Sequence, residues 1–100
     1  MTKQELLDYL EQNSGALTSF RAKSLDYQNM KNQKRQPAKR WNETKVDRAV
    51  DKMVKEFIES IHQKMTFNVK SDSYDAWLQF MEQNEVLEGL EESVNEMEFV

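Results

Sequence analysis

Between positions 41 and 65 the chain runs WNETKVDRAVDKMVKEFIESIHQKM, and no other stretch restricts the fold as tightly. Val46, Ala49, Val50, Met53, Val54, Phe57, Ile58, Ile61 and Met65 recur at steps of three and four, which lines them along one stripe of a 3.6-period helix. Lys45, Asp47, Arg48, Asp51, Lys52, Lys55, Glu56 and Glu59 occupy the far side, so that face is solvated. At about 1.5 Å per residue a helix over 43–65 runs roughly 33 Å, more than one short helix can cover. The expected fold is all-α, a small bundle of four or five helices around this central amphipathic one. Apolar surface left over would favour a homodimer or a partner protein.

Asn42 is the natural N-cap of that helix, with Trp41 before it and Val46 four places after, the spacing of a hydrophobic staple. Upstream, Thr2 and Glu5 form a capping box, Leu6, Leu7 and Leu10 share a face, and Gly15 offers a left-handed stop, so a first helix is expected over about 3–13. Leu17, Phe20, Ser24 and Tyr27 carry a second. From 28 to 40 the chain is polar and basic and holds Pro37, which cannot donate to a helix ladder and pushes Gln36 out of the helical region; a flexible basic loop is expected there. Met65, Phe67 and Val69 alternate with polar residues, which fits a short extended segment over 65–69. Ser71, Asp72 and Ser73 can cap a helix faced by Tyr74, Trp77, Leu78 and Met81. The phase slips near Asn84, and Val86, Leu87, Leu90, Val94 and Met97 define a last helix, with 92–100 as a frayed acidic tail.

Composition narrows the classes further. Two glycines and one proline are too few turn residues for an antiparallel sheet, and the absence of cysteine excludes disulfides and thiolate metal sites. No apolar run is long enough to span a bilayer, and the amphipathic, acidic start lacks a secretory core, so a single cytoplasmic helical domain over 1–100 is expected. The net charge of -4 hides a segregation of signs. Between Arg21 and Lys70 thirteen Lys and Arg residues face six acids; beyond Lys70 come nine acids and no base.

Little of this points to catalysis. The one histidine, His62, makes a Glu-x-x-His spacing with Glu59, but a carboxylate-bridged di-metal bundle needs two such motifs and two more glutamates. A surface histidine on a helix flank accounts for it. Neither a calcium-loop pattern nor a glycine-rich phosphate cradle is present, and no cofactor or small-molecule substrate is implied.

Two binding chemistries remain. In the first, Glu88, Glu91 and Glu92, with Phe80 and Phe99 as aromatic anchors, let the acidic C-terminal half dock on a larger nucleic-acid-handling protein as a regulator or inhibitor, carboxylates standing where that protein expects phosphates. The bland account of the same residues is a solvated helix face and a frayed end. In the second, Lys31, Lys34, Arg35, Lys39 and Arg40, flanked by Tyr27 and Trp41, bind DNA or RNA directly through phosphate contacts and base stacking. Its bland account is a solvated loop with Trp41 in the core. The run LLDYLEQNSGALTSFRAKSLDY resembles the opening of helix-turn-helix DNA-binding domains, which implies the same activity, although no strongly basic recognition helix follows at once. A structural subunit of a complex is a third possibility. The expectation drawn is a non-enzymatic binding protein, the acidic half its principal surface.

Overall fold

The computed structural model describes residues 1–99, and they form an elongated all-α bundle, 50 × 23 × 22 Å. Five helices follow in order: α1 (Lys3–Asn13), α2 (Ala16–Gln33), α3 (Glu43–Asn68), α4 (Tyr74–Gln83) and α5 (Val86–Glu96), with a 3-10 turn at Pro37–Lys39 between α2 and α3. Antiparallel α2 and α3 make the long axis. Helix α1 packs on both, α5 packs on α2, and α4 packs on α5. No helix among the described residues is long and apolar enough to cross a membrane.

The central stripe behaves as its spacing requires. Val46, Val50, Val54, Ile58, Ile61 and Met65 are all buried, and all but Val46 join one core with Leu6, Leu10, Leu17, Phe20, Trp77, Met81 and Val94. One chain therefore covers the stripe, so burying it does not require a second copy. Asn42 caps α3 by accepting from the Lys45 N–H at 2.9 Å.

The first capping box is also present, Thr2 Oγ1 accepting from Glu5 N at 3.1 Å and Glu5 Oε1 from Thr2 N at 2.9 Å. The bond from Thr2 N is the main reason the Glu5 carboxyl lies below its ordinary value. A depressed carboxyl stabilises the fold above its unfolded-state pKa and loses that contribution as pH falls through its folded one, so this cap weakens in acid.

Four expectations need correction. Gly15 is not left-handed: its φ is -84°, and the turn is held instead by the Glu91 carboxylate of α5, which accepts from Ser14 Oγ at 3.0 Å and Gly15 N at 3.1 Å. Helix α2 does not stop near residue 28 but runs through Gln33. Gln28 is buried, its amide donating to Met53 Sδ at 3.2 Å, and the packing against α3 outweighs the polar composition. Pro37 acts where expected, with Gln36 in an extended conformation (φ -58°, ψ 142°) before the 3-10 turn.

The extended segment expected at 65–69 is helical through Asn68. Met65 and Val69 are an i, i+4 pair facing the core, and Phe67, which would have shared their face in a strand, stands 76% exposed. The tail is not frayed where described: α5 continues to Glu96, Val94 is fully buried, and Phe99 lies edge-on to Phe20 with centroids 5.6 Å apart. Lys23 supplies the cation that the acidic α5 lacks at its C-terminal end, donating to Asn95 O at 2.9 Å and Met97 O at 2.8 Å. Val100 lies outside the described residues.

Gly89 sits inside α5 with nothing within 4 Å of where a Cβ would stand. Gly89→Ala is therefore expected to raise stability by about 1 kcal/mol, read as a higher urea midpoint at unchanged slope. A lower midpoint would mean that some neighbour needs the glycine.

Candidate functional site

The acidic half is built of α4, α5 and the break between them. Helix α4 is capped by Ser73, whose hydroxyl accepts from Ala76 N, and buries Trp77 and Met81. At its end Asn84 leaves the helix and Glu85 takes a left-handed conformation, φ 52° and ψ 41°, the sole non-glycine with positive φ among the described residues. That conformation costs an L-residue on the order of 1 kcal/mol. It also produces the phase slip, since one left-handed residue lets α5 set off in a new register.

Across this corner lies a depression of about 410 Å³. Tyr9, Leu78, Met81 and Leu87 give it an apolar lining, and Glu82, Glu85 and Glu88 supply its carboxylates. All three glutamates are exposed, and among the described residues none is in a salt bridge. The result is an acid-rimmed apolar seat suited to a cationic side chain with an aliphatic stem.

Of the acidic-half residues singled out from sequence, Glu88 belongs to this seat and Glu92 stays exposed on α5. The others are engaged within the fold. Glu91 holds the α1–α2 turn, Phe80 is half-buried against the core, and Phe99 packs between Phe20 and Tyr27. Sequence reading missed Glu82 and Glu85. Their signal was present, because Leu78, Met81, Glu82 and Glu85 follow at helical steps of three, one and three straight into the phase slip.

The basic group gathers at the opposite end, where α2 and α3 project past the rest of the bundle. Asn32 clamps the turn: its Nδ2 donates to Trp41 O at 3.0 Å and its Oδ1 accepts from Trp41 N at 2.8 Å. Arg35 lies 3.8 Å from the centroid of the Trp41 ring and donates to Asn32 Oδ1 at 3.1 Å. Arg40 donates to Gln33 O, and Lys31 lies 5.2 Å from the centre of the Tyr27 ring, which the Phe99 ring meets edge-on at 5.8 Å. Lys34 and Lys39 are exposed. The structure thus brings this group together on a built turn and occupies both of its aromatic rings.

Glu59 and His62 are each engaged within the fold. Glu59 lies 3.9 Å from the Lys3 ammonium, and His62 Nε2 is 2.8 Å from Met1 O with its ring tilted against Trp77. Among the described residues no three His, Cys, Asp or Glu side chains are placed to hold a metal ion. No family model, curated protein or solved structure matches the chain.

Proposed function

We propose that this protein is a small non-enzymatic regulator or inhibitor that docks on a nucleic-acid-handling protein through the acidic α4–α5 half. The observation that carries this reading is the seat at the α4–α5 corner, where Tyr9, Leu78, Met81 and Leu87 adjoin Glu82, Glu85 and Glu88. A surface built to grip phosphates presents arginine and lysine, and carboxylates gathered around one seat can take the place of phosphates there. The apolar lining adds the desolvated contact that surface charge pairs lack by themselves. The left-handed Glu85 supports the same site, because backbone strain concentrates where geometry serves binding.

The test is a charge reversal. Glu82→Lys, Glu85→Lys and Glu88→Lys together should abolish copurification of the partner from the native cell and restore that partner's hold on nucleic acid. Glu96→Lys, outside the seat, should leave both unchanged. Retention of the partner by the triple variant at the yield of the unaltered protein would refute the docking site.

A further inference from the structure

The positive charge is not confined to the turn between α2 and α3. Lys45, Arg48, Lys52 and Lys55 follow at steps of three, four and three, so they form one row along α3, opposite the buried Val46, Val50, Val54 and Ile58. All four are exposed. At about 1.5 Å per residue the row extends roughly 15 Å from the turn toward the middle of the molecule.

Two acids of the same helix already have cationic partners. Asp51 is turned to Arg21 of α2 at 2.9 Å, and Glu56 reaches Lys52 only at 4.0 Å with both side chains mostly in solvent. Such a pair exchanges readily for a phosphate. Over 28–48 seven Lys and Arg residues stand against Glu43 and Asp47, a net of +5, which leaves -9 for the remainder of a chain totalling -4. The segment over 28–48 and the remainder of the chain therefore carry opposite net charge, which favours approach of a polyanion at the arm.

We infer that the α2–α3 arm, with the Lys45–Arg48–Lys52–Lys55 row, binds double-helical nucleic acid through its phosphate backbone, independently of sequence. Charge alone would suit a single strand too. Sequence-tolerant binding of single strands, however, relies on open aromatic faces for base stacking. Here Arg35 already lies over the Trp41 ring, and Tyr27 is engaged by Lys31 over its ring and by the Phe99 ring edge-on. What the arm offers is a straight rank of cations on a rigid helix, and a duplex, with about one charge per 1.7 Å of axis, is the rigid polyanion that matches it. This surface is separate from the acidic seat and needs no protein partner.

The experiment is fluorescence anisotropy of the full-length chain against a labelled 30-base-pair DNA duplex and the corresponding single strand, over 50 to 200 mM salt. Duplex binding should exceed single-strand binding at least fivefold at low salt and fall steeply as salt rises. Changing Lys45, Arg48, Lys52 and Lys55 to Gln should weaken duplex binding at least tenfold at 50 mM and flatten the plot of log K against log salt by about 0.9 for each phosphate no longer neutralised. Circular dichroism guards against loss of fold, and Lys45→Arg with Lys52→Arg and Lys55→Arg should retain both affinity and slope. Absence of duplex binding at 50 mM, equal or tighter binding to the single strand, or an unchanged slope in the Gln variant would each overturn the inference. None of these results bears on the acidic seat, whose test uses a protein partner.

Discussion

Trp77→Ala is expected to lower the unfolding free energy by about 3–5 kcal/mol, the usual range for emptying a large aromatic site in a core. Trp77 is 2% exposed and is the largest of the fully buried side chains. Its loss would do more than leave a cavity. The indole N–H donates to Ser71 O at 2.7 Å, fixing the connection between α3 and α4, and the ring lies 4.8 Å from that of His62. His62 in turn reaches Met1 O, and Met1 N donates to Asp72 O at 2.6 Å, so one ring braces α3, α4, their connection and the chain start. Urea unfolding followed by circular dichroism measures the effect. Trp77→Phe serves as comparison, since it keeps most of the apolar volume and removes chiefly the hydrogen bond, at about 1–2 kcal/mol. If Trp77→Ala cost less than Trp77→Phe, the bracing role would be wrong.

The parts of this fold legible in sequence are those decided within a turn or two of chain. The α3 stripe, the Asn42 cap and the Thr2–Glu5 box depend on residues no more than four apart, where helical geometry leaves few choices. The α1–α2 turn escaped because its decisive group, the Glu91 carboxylate, lies 76 residues from Gly15. Two explanations of a glycine between helices compete, and only the folded chain shows that a carboxylate supplies what a left-handed residue would have. The segment after Met65 failed for a different reason. Residues 65 and 69 share a face both in a strand and in a helix, so three alternating apolar groups do not separate the periods, and Phe67 breaks the tie only once its exposure is seen.

The same division runs through the candidate sites. The segregation of charge is plain in the sequence, and the basic cluster stands out there residue by residue. Which carboxylates stand free could not be read there, since Glu88 and Glu91 look alike on a helix and differ only in that Ser14 and Gly15 come to meet one of them. The row from Lys45 to Lys55 was likewise visible as the solvated face of α3. What the folded chain adds is that all four of its cations stay exposed, on the side of α3 turned away from the buried stripe.

Phe20→Ala should be comparably costly, about 3–5 kcal/mol, and it tests whether the chain end belongs to the core. Phe20 stacks on Phe57 with ring centroids 4.2 Å apart and planes within 7°, and it meets Phe99 at 5.6 Å in an edge-on contact. The first contact joins α2 to α3 and the second joins α2 to the residues after α5. Phe99→Ala removes a half-buried ring and should cost less, about 1–2 kcal/mol. The decisive quantity is the coupling in the double variant: stacked or edge-on rings contribute about 0.5–1.5 kcal/mol beyond their burial, so the two losses should not add. A frayed end predicts instead that Phe99→Ala leaves the urea midpoint where it was and that the coupling vanishes.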